Sequence, residues 1–243
     1  MELPFDPIER AKEVEDIVAN GEKRKYYRFR YASYYGGIVT ADTVGCCFLC
    51  AYCWNYFRNL NPKGVGKFYS SLEVVNNLLE ISFRKNCKKF RISGAEPILG
   101  KKSFSHLEKI LELLNQKIEN LEFIIETNGL LLGYKTELIE RLKKYKKFIF
   151  VRISLKGWDE ISFEKISGAR RDFFIYPIKA LKILKDSGIE AWPAIMYDIF
   201  RSNGLQKIKE ILKKEVGSDE VEIEYLESYP FVVRNLKNRG IEI

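Results

Sequence analysis

Histidine is almost absent from this chain: His106 is the only one in 243 residues. Zinc usually takes four ligands, often from two separated C-x2-C pairs. No such pair of pairs is present, and His106 lies far along the chain from the cysteines. Long apolar runs are missing too; none nears the roughly 20 residues that a membrane span requires. The opening Met1-Glu2-Leu3-Pro4-Phe5-Asp6 has neither a basic n-region nor an apolar h-region. No signal peptide is therefore expected, and the expected location is cytoplasmic with no membrane partner. Repeats and low-complexity segments are absent. Cysteine is scarce and odd in number, five in all, with four of them between positions 46 and 53. That is no secreted disulfide framework; in a cytosolic chain such a cluster points to metal binding or catalysis.

Hydrophobic residues make up 46% and charged residues 30%, the profile of a globular protein long enough to bury a sizeable core. The net charge of +8 attracts anions in general and nucleic acid in particular. A Lys-rich solvated surface explains it equally. The run Lys23-Arg24-Lys25-Tyr26-Tyr27-Arg28-Phe29-Arg30-Tyr31 interleaves bases and rings as single-strand platforms do. The favoured reading is a basic extended arm packed on the body.

From Gly37 onward, strand and helix patterns alternate. Strands are expected at 37–44, 89–93, 121–127, 148–155, 190–196 and, edge-like, 221–226. Helices are expected at 7–19, 71–86, 103–116, 136–144, 177–186, 205–214 and 231–237. About six such units argue for a parallel sheet with right-handed crossovers, as an open three-quarter barrel or a doubly wound sheet. The unusual residues follow the strands: the cysteines, Gly94-Ala95-Glu96-Pro97, Glu126-Thr127-Asn128-Gly129 and Lys156-Gly157. Strand-to-helix loops line the functional face of parallel α/β folds. The basic runs 84–89 and 141–147 fall in the opposite turns and read as solvated, with Cys87 an ordinary thiol.

Cys46, Cys50 and Cys53 read C-x3-C-x2-C, a loop able to offer three thiolates to one centre. Thiolates suit iron–sulfur clusters, zinc or Cu(I). Three ligands on a cubane of four irons leave one iron open. A zinc site on Cys46, Cys47, Cys50 and Cys53 is the crowded alternative, and a nucleic-acid-binding module is the other.

These stretches, in this order, resemble the radical SAM enzymes. The cysteine spacing with Tyr52 before the third cysteine is similar to that superfamily's cluster motif. Gly94-Ala95-Glu96-Pro97 resembles its Gly-Gly-Glu-Pro, and Glu126 to Gly129 its Thr-Asn-Gly stretch. The resemblance runs from about 37 to 196. It extends to a set of small, largely archaeal members without an assigned substrate, through Glu126 to Gly133, Val151 to Gly157 and Tyr229-Pro230. It implies a partial (β/α)6 TIM-like barrel over 37–227, an N-terminal helix and arm over 1–36, and a C-terminal helical extension over 228–243. It also implies an enzyme with a 4Fe-4S cluster on Cys46, Cys50 and Cys53, and Cys47 as a neighbour. S-adenosylmethionine (SAM) would meet Tyr52, Gly94, Ala95, Glu96, Asn128, Arg152, Ser154 and Lys156. Reductive cleavage would yield a 5′-deoxyadenosyl radical, with an electron donor such as a ferredoxin or flavodoxin. Ala95 departs from the motif, which is tolerable if its φ is negative. With no second cysteine group, members needing auxiliary clusters are disfavoured; glycyl-radical activases and small-molecule or RNA modifiers remain. The cations Arg58, Lys63, Arg170, Arg171 and Arg201 hint at an anionic substrate.

Overall fold

The computed structural model describes residues 2–243. The chain opens with helix α1 (Pro7–Val18). Asp6 starts it by accepting from the backbone N–H of Ile8 (2.8 Å) and Glu9 (3.2 Å), and Pro7 fills the first turn, where no N–H is needed. Ala11, Val14 and Val18 recur at helical spacing and are buried. Strands β1 (Ala19–Asn20) and β2 (Lys23–Ala32) follow, and β2 runs antiparallel to β1, to β3 (Ile38–Thr43) and to β4 (Lys67–Ser70). The short helix α2 (Tyr56–Leu60) lies between β3 and β4.

The run read from sequence as an arm is therefore a strand of the sheet. Its side chains divide: Arg24 and Lys25 are buried, Arg28 and Arg30 both reach Asp42 on β3 (2.6 and 2.8 Å), and Lys23, Arg28 and Tyr31 keep exposed surface. A single-strand nucleic-acid platform needs its bases and rings facing solvent, and only part of this segment does so.

Six parallel strands come next in chain order: β3, β5 (Lys89–Ser93), β6 (Glu122–Thr127), β7 (Ile149–Ser154), β8 (Glu190–Met196) and β9 (Glu222–Glu224). The crossovers carry α3 (Ser71–Lys85), α4 (Lys101–Asn115), α5 (Leu130–Tyr134) with α6 (Glu137–Leu142), α7 (Glu160–Ser167) with α8 (Ile175–Asp186), and α9 (Tyr197–Val216). Helix α10 (Pro230–Asn238) closes the chain. The six-unit alternation expected from sequence is present, within a mixed sheet whose path ends at β9. No helix is long and apolar enough to cross a membrane among the described residues.

The two faces of the sheet differ in chemistry. Val39, Phe90, Ile92, Phe123, Ile125, Val151 and Ile153 lie in the main apolar core with the helices. Alternate residues on the other face are largely polar: Thr40, Asp42, Arg91, Glu126, Arg152 and Glu222. A small apolar group, Ala32, Ile38 and Ile124 with Tyr35, Phe150 and Trp192, lies beneath them. Period-two alternation places both sets from one sequence. The basic turns at the far end are paired, with Arg141 and Lys144 on Glu108 and Glu112.

Candidate cofactor site

The cysteine loop leaves the end of β3 through Gly45, at φ +91°. A β-carbon at Gly45 would come within 2.6 Å of Val14 Cγ1, so α1 packs directly on the base of the loop. Backbone bonds then pin it on two sides. Leu49 and Ala51 donate to Ser167 and Ile166 at the end of α7 (3.0 and 2.9 Å), and Glu96 N–H donates to Gly45 (3.1 Å).

The sulfurs sit among donors. Phe48 N–H points at Cys46 Sγ (3.4 Å), Asn59 Nδ2 at Cys53 Sγ (3.6 Å), and Asn128 Nδ2 at Cys47 Sγ (3.1 Å) and Cys46 Sγ (3.8 Å). Burial pushes the Cys50 and Cys53 thiols up to about 11 and about 12. Cys46 moves the other way, down to about 6, because Cys47 hydrogen-bonds to it and Phe48 N–H, Arg10 and Lys156 add to that against burial. Cys47 is fully buried, and burial together with Cys46 raises its thiol.

Glu96 joins the strand ends. Its carboxylate accepts from Ile98 N–H (3.1 Å), Thr127 Oγ1 (2.7 Å) and Asn128 N–H (2.8 Å). Burial and then Cys46 nonetheless hold its pKa up near about 8, against those three donors. Glu96, expected as a SAM contact, holds the local turn through Ile98 N–H and links it to the end of β6. Asn128 Oδ1 in turn accepts from Leu130 N–H (3.0 Å), opening α5. Left-handed backbone falls at Gly94 (φ +82°), while Ala95 is not among the residues of positive φ. The departure from Gly-Gly is therefore accommodated.

Lys156 stands over the Tyr52 ring (5.2 Å to its centroid). Burial opposes its charge, but Tyr52, Cys50 and Glu224 outweigh it and raise its pKa. Burial lifts the Tyr52 hydroxyl to about 12. Arg152 bonds Ser154 Oγ (3.2 Å) and is bracketed by two acids that sequence reasoning did not single out, Glu222 and Glu224. Arg152 Nε donates to both Glu222 carboxylate oxygens (3.1 Å each), and its Nη2 forms ion pairs with Glu224 (2.8 Å) and Glu222 (3.0 Å). Beside it Arg91 pairs with Glu126 at 2.5 Å and lies between the rings of Tyr34 and Tyr35. Only the i, i+2 spacing of Glu222 and Glu224 on one edge-strand face gave a signal for the first of these groups.

All eleven predicted site residues thus lie at or just past the ends of β3, β5, β6 and β7. Two groups form. Glu96, Asn128 and Cys46 are linked through hydrogen bonds, and Lys156 joins Tyr52. Arg152 and Ser154 form a separate pair turned toward β9. Of the cations that hinted at an anion, Arg170 is taken by Asp6 and Asp172, Arg171 by Glu164, and Arg58 by Asn55 and the Tyr27 ring. That hint loses most of its weight.

The soft thiols of the loop are donors that suit an iron–sulfur cluster or zinc, and the N–H groups of Phe48, Asn59 and Asn128 aimed at sulfur are what a thiolate-held centre uses. Among the described residues no three His, Cys, Asp or Glu side chains are gathered closely enough to hold a metal ion.

A family model described as the radical SAM superfamily matches residues 41–214. A Methanocaldococcus jannaschii protein, named provisionally as a glycyl-radical enzyme activating enzyme, is 32% identical over 122 residues. That match covers 50% of this chain and 40% of the relative's length. Among solved structures, a radical SAM methyltransferase from Sphaerobacter thermophilus superposes with a TM-score of 0.62 at 13% identity, covering 90% of this chain and 71% of that one. A spore photoproduct lyase gives 0.60 at 13% identity, covering 87% and 63%. SuiB of Streptococcus suis, bound to SAM, gives 0.56 at 18%, covering 82% and 47%. At these identities the likeness is one of fold.

Proposed function

The chain belongs to the radical SAM superfamily, and on that premise we propose that it holds a 4Fe-4S cluster on Cys46, Cys50 and Cys53 and cleaves SAM reductively. One observation carries the reading. Glu96 ties Asn128 and Gly45 into a single hydrogen-bonded frame around the cysteine loop, so the motif stretches are neighbours in space as well as in order.

Cys46, Cys50 and Cys53 would hold the cluster, which, reduced by an external one-electron donor such as a ferredoxin or flavodoxin, would supply the electron for reductive cleavage of SAM. The protein's residues bind and orient. Gly94, at a left-handed position that brings backbone close, offers approach to the methionyl group, with Ala95 beside it. Glu96 fixes the frame through its three donors. Lys156 is the cation for the SAM carboxylate, with Arg152 held in reserve by its two acids. Asn128 and Ser154 are polar contacts for the ribose or carboxylate, and the Tyr52 ring props the loop near the adenine.

The substrate reading follows from the charged sheet face. Paired Arg28, Arg30 and Asp42 on one side and Arg152, Glu222 and Glu224 on the other suit a polar substrate better than an apolar one. The M. jannaschii relative brings a partner protein into consideration as that substrate; RNA and small molecules stay open, as does a ferredoxin or flavodoxin as donor. The test is anaerobic reconstitution with iron and sulfide, then dithionite and SAM. 5′-Deoxyadenosine should form with the parent protein and not with Cys50→Ala. A colourless parent protein retaining zinc, and no 5′-deoxyadenosine, would overturn the reading.

A further inference from the structure

Two arginines from the N-terminal segment are buried behind the cysteine loop, outside the stretch that the family model matches. Arg24, on β2, is 1% exposed. Its Nη2 donates to the Glu96 carbonyl (2.9 Å), and its Nη1 has no hydrogen-bond partner. Among the described residues no carboxylate lies within ion-pair distance of it. The nearby acids are committed elsewhere, Glu15 to Ser103 (2.8 Å to N, 2.6 Å to Oγ) and Glu96 to Ile98, Thr127 and Asn128. Arg10, on α1, is 4% exposed and its Nη2 donates to the Asn59 carbonyl (2.7 Å).

Each arginine is one or two residues removed from a sulfur. Arg10 holds Asn59, whose amide points at Cys53 Sγ. Arg24 holds Glu96, which bonds Asn128, whose amide points at Cys46 and Cys47. A buried guanidinium keeps its proton, and at Arg24, with no carboxylate in ion-pair reach, that charge is costly. Three thiolates on a cluster carry net negative charge, which grows by one on reduction. A positive charge nearby stabilises the reduced form more than the oxidised one.

We propose that the N-terminal segment is part of the cluster site: Arg24 and Arg10 supply the buried positive charge that raises the cluster's reduction potential and orient the amides that bond its sulfurs. The proposal rests on the cluster reading above. It gives α1 and β2 a role in the reaction, with both arginines acting as positioning residues.

The experiment compares the full chain with Arg24→Met, Arg24→Lys, Arg10→Met and the double Met variant. Each is reconstituted anaerobically, assayed for iron and sulfide, and titrated redox-potentiometrically by EPR. Arg24→Met should favour the oxidised cluster at least tenfold, about 59 mV more negative for one electron, and the double variant more. Arg24→Lys should recover most of the shift. Melting of the apoproteins separates charge from structure: Arg24→Met should melt no lower than the parent without cluster, because a buried unpaired charge has been removed. If Arg24→Met does not fold, Arg24→Gln and Arg10→Met carry the same comparison. Full iron content with an unshifted potential in the single and double variants overturns this proposal alone. A parent protein that takes up no cluster overturns it together with the reading beneath it.

Discussion

Gly94→Ala should be strongly disruptive for a single added carbon at the site, and three substitutions together test why. Gly94 sits at φ +82°, and an added β-carbon would lie 2.9 Å from Tyr27 Oη and 3.0 Å from Asp42 Cβ. Left-handed backbone costs an alanine about 1–2 kcal/mol, and forcing an extra carbon into a packed site adds about 1–3 kcal/mol. Tyr27 can give a little, but Asp42 is fixed by Arg28 and Arg30. A loss of about 3 kcal/mol is expected, which for a chain of this length lowers the melting temperature by about 6–12 °C. Gly21 provides the control: its φ is +57° and a β-carbon there meets nothing within 4 Å. Gly21→Ala should cost the backbone term alone, about 1–2 kcal/mol. Ala95→Gly should cost less again, about 0.4–1 kcal/mol through the unfolded chain. Urea and thermal unfolding of the three apoproteins, anaerobic and reduced, read these differences. If Gly94→Ala loses no more than Gly21→Ala, the packing argument fails. If Ala95→Gly loses more than Gly94→Ala, the left-handed position has been assigned to the wrong residue.

Stability should fall in acid through His106, whose pKa burial depresses to about 4; Nδ1 lies 2.9 Å from the Glu22 carbonyl and Nε2 3.1 Å from Tyr26 Oη. The neutral ring is favoured in the fold, so its contribution is intact above pH 6.5 and is lost between there and about pH 4. The scale is about 3 kcal/mol, and a His106→Gln variant, measured by denaturant unfolding across that range, should show a flatter profile. Cys47→Ala should retain iron and sulfide after reconstitution while Cys46→Ala loses them; equal loss in both would make Cys47 a ligand. Arg152→Met leaves Glu222 and Glu224 facing each other without their shared cation, and removing one partner of a buried pair costs about 3–5 kcal/mol. Because both acids are partly exposed, the lower end is expected, with hydrogen exchange speeding up first in β9.

The strand-and-helix frame was legible because its period is strong. β5 and β8 fall where alternation places them, at Lys89–Ser93 and Glu190–Met196, and α3 misses by one residue at its end. What escaped has physical reasons. α5 and α7 are five and eight residues long, too short for a helical apolar stripe to stand out. α9 was expected from Leu205 and begins at Tyr197, across a break at Arg201 (φ +50°) that no periodicity reports. β4 is a half-exposed edge of four residues held by β2. The cap of α3 is Ser70, closed reciprocally with Glu73.

The largest misreading concerns β2, and it bears on how such a site is assembled. Nine residues alternating bases with rings look like a surface device when only composition is weighed. In the fold these residues divide between two faces of one strand, because the pairing with β3 shifts register between Tyr26 and Arg28. Arg24 and Tyr26 go inward beneath the cysteine loop, where His106 and Glu96 meet them, and Arg28 and Arg30 turn to Asp42 on the polar face. The motif residues at the strand ends were readable because their spacing is local: three thiols within eight positions, a turn after each strand. The charges behind them were not, because each acquires its meaning from a partner far along the chain, Arg24 from Glu96 and Arg10 from Asn59. Under the proposed cluster reading both kinds of residue matter: ligand spacing marks where a metal can bind, and the buried charge of Arg24 is what a shift in reduction potential would read.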